Sequence, residues 1–348
     1  MDMFFIGFRD PLFSIIVFFA IIFIITFFSY WWGRYKRGQD SKHLDKFLQQ
    51  FRALPSKDEL KVLISSGELS QKSWLLLANS YYKNGEYEKS IEIYNEILNV
   101  EKNSDTKEIM FLLGKTYFRA GFLERSKQIF LEILKRNPRT PEALHYLLLV
   151  YEYMRDYKSA LEVLEPLDEL KEDIALDSAY LHALEILNNN QLDEKQKSKK
   201  LLTIHRDSGA LTYMIFEYLF RVDPEVAWHN LDTSKAELLA EVLWKCDAKA
   251  LNLDIISQNS FLRELYTARG DYELAQQSEI FEFAMLIGVQ KRVDATLGFE
   301  YICDKCKSSS PFAFHRCSYC HAIDSARVEW SLSRDYSRSF SEENNSFQ

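Results

Sequence analysis

The sequence has little of what marks several large classes of protein. Only five cysteines occur among 348 residues, and this is not the dense disulfide framework of a small secreted domain. No Gly-rich phosphate loop, no His-Glu-x-x-His motif and no Gly-x-Ser-x-Gly motif is present. The net charge is −8, and the chain beyond its N-terminal segment has no basic run with interleaved aromatics. We therefore expect neither an enzyme of these motif classes nor a nucleic-acid-binding protein.

A long uncharged stretch lies near the N-terminus. No charged residue occurs from Pro11 to Gly33. At about 1.5 Å per residue this stretch forms a helix of roughly 34 Å, enough for a hydrocarbon core of about 30 Å. We predict a transmembrane helix over residues 11–33. A helix lying in the membrane interface is the main alternative, since a signal peptide would have a shorter apolar region with basic residues before it.

The residues that flank this helix predict its orientation. Arg34, Lys36, Arg37 and Lys42 follow the span, whereas Arg9 alone precedes it. Basic residues close to a membrane span favour the cytoplasmic side. We therefore expect the body of the protein to lie in the cytoplasm, which also suits cysteines that must stay reduced to bind a metal.

A pattern with a period of about 34 residues begins after a charged connector. Aromatic residues, small residues and glycines recur at equivalent positions in three successive segments. The matches are Trp74, Leu77, Ala78, Tyr81, Gly85, Tyr87, Ser90 and Tyr94, then Leu113, Gly114, Tyr117, Gly121, Ser126, Phe130 and Pro138, then Leu147, Tyr151, Tyr157, Ala160 and Leu164. Small residues allow two helices to approach closely, and glycine tolerates a positive φ where a helix ends. The pattern predicts tetratricopeptide helix-turn-helix units.

The helical pattern continues beyond these units with a weaker consensus. Residues 177–187, 211–220 and 236–244 form amphipathic stretches, with helix-capping residues at Asp223 and Asp232. Tyr266, Gly270, Tyr272 and Ala275 mark a last unit. We predict a solenoid over residues 58–290 with a degenerate middle. Stacked repeats leave a concave face that binds extended peptides or partner surfaces.

The first helix of each unit is expected to line that concave face. The candidate partner-binding residues on these helices are Tyr82, Phe111, Lys115, Phe118, Arg119, His145 and Tyr153. Aromatic side chains in such a groove supply contact area for a bound segment. The alternative is that the aromatic members pack only between neighbouring repeats, and the sequence leaves both interpretations open.

Four of the five cysteines form two Cys-x-x-Cys pairs near the C-terminus. Cys303 and Cys306 are followed, after ten residues, by Cys317 and Cys320. Four thiolates at this spacing can converge on one zinc or iron ion, as in a zinc ribbon or a rubredoxin-like domain. Four protein ligands leave no open position for activated water, so hydrolytic catalysis is not expected. Redox motifs and an iron-containing electron carrier are the alternatives.

The neighbouring residues that could also do chemistry have structural interpretations. His315 and His321 adjoin the cysteines, and we expect them beside the ligands or at the surface. Cys246 is expected to be a buried small hydrophobic side chain. The polar segment Ser331–Gln348 is predicted to be a disordered tail.

The order of anchor, repeats and four-cysteine knuckle resembles the lipopolysaccharide assembly protein B family of Gram-negative bacteria. The resemblance is most specific from Tyr301 to Ala322, where Phe312 and Phe314 lie between the two cysteine pairs. It implies that the four cysteines bind one metal ion and that the metal-bound ribbon packs against the repeats. It also implies an inner-membrane protein with a periplasmic N-terminus.

The resemblance further implies an adaptor. Such a protein works with a membrane-anchored AAA+ metalloprotease and promotes degradation of the deacetylase that commits precursor to lipid A. Confinement of adaptor and protease to one membrane raises their effective concentration. The alternative function is a scaffold that assembles envelope-biogenesis enzymes without a role in proteolysis.

The expected fold class is all-α, with a tetratricopeptide-repeat solenoid after one transmembrane helix and a small C-terminal rubredoxin-like or zinc-ribbon domain. The expected segments are the periplasmic N-terminus 1–10, the transmembrane helix 11–33, a juxtamembrane connector 34–57, the solenoid 58–290, the metal domain 298–330 and the tail 331–348.

Overall fold

The chain divides into two compact units, residues 1–154 and 155–348. The computed structural model describes residues 23–24, 27, 57–67, 69–100, 106–273, 278–289 and 295–334. Among these residues no helix is both long and apolar enough to cross a membrane. Apart from Phe23, Ile24 and Phe27, the transmembrane helix predicted over residues 11–33 lies outside the described residues.

The first unit is built from helices that pack on their neighbours in the sequence. In its described part these are α1 (Lys57–Ser66), α2 (Gln71–Lys83), α3 (Tyr87–Val100), α4 (Lys107–Arg119), α5 (Leu123–Arg136) and α6 (Pro141–Tyr153). Each helix from α2 onward contacts the next, and α1 also contacts α3. This local pairing is the arrangement that the repeat pattern predicts.

Tight turns with one residue at positive φ join the helices of each repeat. Gly85 has φ 80° and Gly121 has φ 82°, as the sequence predicted for the ends of the first helices. The backbone N–H after each glycine donates back into the preceding helix, from Glu86 to Tyr81 at 2.9 Å and from Phe122 to Tyr117 at 2.9 Å. At the corresponding place after α6, Arg155 adopts φ 60°, so the chain keeps the turn there without glycine.

Small residues lie where the helices of a repeat approach most closely. A Cβ added to Gly114 of α4 would be 2.9 Å from Cζ of Phe130 on α5. Ser126 is fully buried, and its hydroxyl donates to the Gly114 carbonyl at 2.9 Å. Ala78 is likewise fully buried. The small positions of the repeat pattern therefore do what close packing requires.

The second unit contains shorter and less regular helices. In its described part these are α7 (Tyr157–Glu162), α8 (Leu164–Glu169), α9 (Ala175–Asn188), α10 (Glu194–Ser208), α11 (Thr212–Val222), α12 (Pro224–Asn230), α13 (Ala240–Trp244), α14 (Leu253–Gln258), α15 (Ser260–Arg269) and α16 (Phe281–Val289), with 3-10 helices at Thr233–Leu239 and Ala248–Ala250. The predicted stretch 236–244 is thus divided between a 3-10 helix and α13.

The predicted caps are present in this irregular region. The Asp223 carboxylate accepts from the Val226 N–H at 3.1 Å, and Pro224 occupies the first turn of α12. The Asp232 carboxylate accepts from the backbone N–H and the hydroxyl of Ser234, at 3.0 and 2.7 Å. Local capping chemistry therefore marks these helix starts even where the repeat consensus fades.

A three-stranded antiparallel sheet follows the helices at the C-terminal end of the described residues. The described part of the protein is therefore mostly helical, with one small sheet. The strands are β1 (Ala295–Cys303), β2 (Ser309–Ser310) and β3 (Ala326–Arg334), in the order β2-β1-β3. The pairing of β1 with β3 extends from Ala295 opposite Arg334 to Cys303 opposite Ala326. Residues 331–334, predicted to begin the disordered tail, are strand residues because they pair with the start of β1.

The sheet and the helices of the second unit share one hydrophobic core. Leu297, Tyr301 and Val328 of the sheet belong to the same buried cluster as helical residues from α9 to α16. The Trp330 ring lies 5.7 Å, centre to centre, from Phe261 and also from Phe283. The C-terminal sheet is therefore an integral part of the second unit.

Candidate metal centre and partner-binding surface

The four cysteines of the two Cys-x-x-Cys pairs converge on one point. Their sulfur atoms all lie within 4.8 Å of one another. The sulfurs of Cys303 and Cys320 are 3.6 Å apart, and those of Cys306 and Cys317 are 3.7 Å apart. Four sulfurs at about 2.3 Å from a zinc ion would be separated by roughly 3.8 Å in a tetrahedron. The cluster therefore has the size and the donor set to hold one metal ion.

Two matching backbone turns present these sulfurs. In the first, the Cys303 N–H donates to Ser308 at 2.9 Å, and the Lys307 N–H donates to Cys303 at 2.8 Å. In the second, the Cys317 N–H donates to Ala322, and the His321 N–H donates to Cys317, both at 2.9 Å. The residue after the last cysteine of each turn has positive φ, 61° and 62°. Both turns therefore use a glycine-like conformation without glycine.

Hydrogen bonding favours the thiolate form of two cysteines in the cluster, Cys303 and Cys317. Desolvation opposes ionisation of Cys303, yet hydrogen bonds from the Ser325 hydroxyl and from the backbone N–H groups of Cys306 and Lys305 lower its pKa to about 6. Desolvation and hydrogen bonding to the other sulfurs raise the pKa of Cys320 to about 12. Metal binding would release protons from the sulfurs that are still thiols, Cys320 among them.

The histidines beside the cysteines do not join the cluster. Nε2 of His315 is 3.3 Å from a carboxylate oxygen of Glu217 on α11. The His321 carbonyl accepts from Arg316 at 2.8 Å. Cys246, the fifth cysteine, is partly buried against the core of the second unit, and desolvation raises its thiol pKa. Its placement fits a small core side chain.

A buried polar network joins the metal-bearing sheet to the helices beneath it. Tyr301 lies two residues before Cys303, and its hydroxyl is 3.0 Å from that of Tyr213 on α11. Both hydroxyls donate to the carboxylate of Glu241 on α13, from Tyr213 at 3.3 Å. Burial, together with the nearby Glu241 carboxylate, raises the pKa of Tyr213 strongly, so its phenol stays a hydrogen-bond donor.

Two further contacts come from the loop that carries the second cysteine pair. Arg316, whose side chain is 8% exposed, pairs with Asp177 of α9 at 3.1 Å and lies over the Tyr180 ring at 5.0 Å. The Asp324 carboxylate accepts from the backbone N–H of Leu211 at 2.9 Å. The sequence analysis did not predict a role for Arg316 or Asp324. Their partners lie more than a hundred positions away in the chain, and no local pattern around either residue indicates them.

The predicted partner-binding residues of the first unit surround a tyrosine that the sequence prediction omitted. Nζ of Lys115 on α4 lies 5.5 Å from the ring centre of Tyr82 and 6.0 Å from that of Tyr146 on α6. The Tyr146 ring is 5.4 Å from Phe111 and 5.9 Å from Phe118. Tyr146, on the helix of the third repeat, therefore packs against three predicted residues of α4 in the second repeat.

The aromatic members differ in how accessible they are. Phe118 is buried, and its ring packs at 5.1 Å against Tyr153, which is 52% exposed. Phe111 packs against Phe130 at 5.9 Å. Arg119 and His145 are partly exposed. The partner-binding role of this set stays a prediction. Tyr153 is the most exposed aromatic ring among these residues, and the buried Phe118 packs beneath it.

Comparison with known proteins confirms the repeat. The tetratricopeptide repeat family matches residues 71–104, which include α2 and α3. No curated protein matches the sequence. The chain is similar to a crystal structure of a tetratricopeptide repeat protein from Parabacteroides merdae ATCC 43184, with 14% identity over 73% of this chain and 98% of that chain and a TM-score of 0.39. It is also similar to BtubC (BKLC) from P. vanneervenii, with 14% identity over 70% and 94% and a TM-score of 0.30.

Proposed function

We propose that the protein is a non-enzymatic adaptor that binds protein partners through its helical repeats. The repeat match over residues 71–104 and the aromatic and cationic side chains on α2, α4 and α6 support this role. Tetratricopeptide units bind partner segments on the surface formed by their first helices. The adaptor function needs no reacting group, and the four-thiolate centre has a structural use.

The observation that carries the proposal is the repeat match over residues 71–104, and the shared core of the second unit supports a structural use of the four-thiolate centre. The sheet that bears the cysteines is packed into the helices through Leu297, Tyr301 and Val328. A free-standing electron carrier would not need this core, whereas a metal ion that stabilises the second unit would act through it. Binding of zinc by four cysteines contributes about 10 to 16 kcal/mol in small domains, so the ion would stabilise the surrounding unit.

The cellular setting of the proposal comes from the N-terminal sequence and the family resemblance. The uncharged stretch 11–33 would anchor the protein in the bacterial inner membrane, with the repeats in the cytoplasm. There the adaptor would bring the lipid A-committing deacetylase to a membrane-anchored AAA+ protease. Anchoring in the same membrane raises the effective concentration of the partners without any new contact.

The test is the half-life of that deacetylase after protein synthesis is blocked, in cells with and without this protein. We expect the deacetylase to persist longer in the deletion strain. Expression of the natural chain should restore rapid loss, and the double variant Cys303→Ser/Cys306→Ser should not. Cys246→Ser is the matched control, since that cysteine lies outside the metal cluster, and it should restore loss fully.

An unchanged half-life would contradict the proteolytic role. It would favour a scaffold that assembles envelope-biogenesis enzymes, and co-purification of such enzymes with the natural chain would then identify the partners. Full restoration by the double cysteine variant would show instead that the adaptor works without its metal centre.

A further inference from the structure

Lys115 occupies an unusual position on the first unit. Its ammonium group is partly buried and lies over two tyrosine rings, Tyr82 of α2 and Tyr146 of α6. Among the residues that the structure describes, no carboxylate lies within 4.0 Å of it. Desolvation lowers the pKa of Lys115, and repulsion from Arg119, one turn further along α4, lowers it further.

The surroundings of Lys115 only partly compensate its charge. A cation gains less from aromatic faces than from a well-placed anion in a partly desolvated site. Partial burial has already removed part of the ammonium hydration. An incoming carboxylate would therefore be paired without the full cost of stripping water from the lysine.

We propose that Lys115, Tyr82 and Tyr146 form a subsite that binds the carboxylate side chain of an acidic residue in an extended partner segment. This inference rests on the proposed adaptor function and names the chemistry of the segment that the repeats bind. Charge complementarity carries it, because among the described residues the site offers a cation with no carboxylate within 4.0 Å, although the whole chain is acidic.

The geometry favours an aspartate or glutamate side chain over a chain terminus. The ammonium group is partly enclosed by two rings, and a side-chain carboxylate on a flexible stem can enter such a site while the partner backbone stays outside. Next to it, the Tyr153 ring is 52% exposed and is held at 5.1 Å by Phe118. It offers an apolar contact to a neighbouring residue of the same segment.

The experiment is selection of peptides on the full chain held in lipid nanodiscs. The probe is a library of random peptides of about twelve residues, displayed internally so that no free C-terminus is present. Selected peptides are resynthesised with amidated and with free C-termini, and with each acidic residue replaced by its amide. Binding is measured to the natural chain, to Lys115→Met and to Lys135→Met. Lys135 is an exposed lysine on α5, and its variant controls for general charge loss.

We expect the selected peptides to share one Asp or Glu. Its replacement by Asn or Gln should weaken binding to the natural chain and to Lys135→Met about ten-fold, the worth of one charge-assisted hydrogen bond. The same replacement should change binding to Lys115→Met less than about two-fold. Amidated and free C-termini should bind equally. The thermal midpoint of Lys115→Met should match that of the natural chain, since methionine keeps the aliphatic stem.

Four results would overturn the inference. Peptides without a shared acid, or an equal amide effect in Lys115→Met, would contradict the subsite while leaving the adaptor function intact. Resynthesised peptides that bind at least ten-fold more tightly with a free than with an amidated C-terminus would assign the anion to a chain end instead. If no peptide binds at all, both the subsite and the peptide-binding role of the repeats are wrong.

Discussion

The two units reach their stability by different routes. In the first unit, the core from Leu60 to Tyr117 is formed by helices that are neighbours in the sequence. In the second, α9 to α16 share their core with a sheet that follows them in the chain, and contacts such as that of Leu211 with Asp324 join residues far apart. Packing in the first unit uses small residues between neighbouring helices, whereas the sheet that packs into the second unit carries the four-cysteine cluster.

The largest expected effect is loss of the metal ion, which should destabilise the second unit and leave the first unchanged. In Cys303→Ser/Cys306→Ser two of four thiolates are lost, and with them most of the binding energy of about 10 to 16 kcal/mol that a four-cysteine zinc site provides. We expect the variant to contain no stoichiometric metal and its sheet to become sensitive to protease. Metal content by emission spectroscopy and limited proteolysis measure this. A protected sheet in the metal-free variant would contradict the dependence on metal, and Cys246→Ser again serves as control.

A smaller effect is expected from the close helix contact of the first unit. In Gly114→Ala the new Cβ would lie 2.9 Å from the buried Phe130 ring, so the ring or the helices must shift, at a cost of about 1 to 3 kcal/mol. Gly288→Ala on α16 is the matched control, because its added Cβ meets nothing within 4 Å. There the better helix propensity of alanine should leave stability unchanged or raise it by less than about 1 kcal/mol. Thermal unfolding of both variants decides, and equal effects would refute the close contact.

The smallest expected effect is on how the free energy of unfolding depends on pH, through the carboxyl group of Glu217. The hydrogen bond from His315 outweighs desolvation and lowers the pKa of Glu217. A lowered carboxyl pKa contributes stability above the ordinary range near 4.3, and this contribution is lost as pH falls through the folded-state pKa. Glu217→Gln should therefore be slightly less stable than the natural chain at pH 6 and equal to it in strong acid.

Chemical unfolding at several pH values measures this effect, as the difference in free energy of unfolding between the variant and the natural chain. Because both chains lose metal in acid, that loss cancels in the difference. Glu132→Gln is the control, since Glu132 pairs with Arg136 on the exposed surface of α5. A stability difference for Glu217→Gln that does not change with pH would contradict the role of the Glu217 charge.

What could be predicted from the sequence is local. Gly85 and Gly121, the caps at Asp223 and Asp232 and the spacing of the four cysteines each act within a few residues, and the structure has them as expected. These signals do not depend on how distant parts of the chain meet.

What could not be predicted is non-local. The partners of Arg316 and Tyr301 depend on how the sheet lies on the helices, and nothing in the spacing of the chain encodes that register. Tyr146 was missed because it lies beside the expected groove positions of α6, and the structure brings its ring against Phe111 and Phe118. The 3-10 helix at Thr233–Leu239 has hydrophobic spacing that also suits an α-helix.

Hydrogen exchange of the full chain, before and after metal is removed with a chelator, tests the shared core most directly. We predict that protection falls in the sheet and in α11, α13, α15 and α16 together, while amides of α2 to α4 keep theirs, since their core cluster is formed by residues of the first unit. Loss of protection confined to the two cysteine turns, with those helices unchanged, would contradict a core that depends on the metal centre.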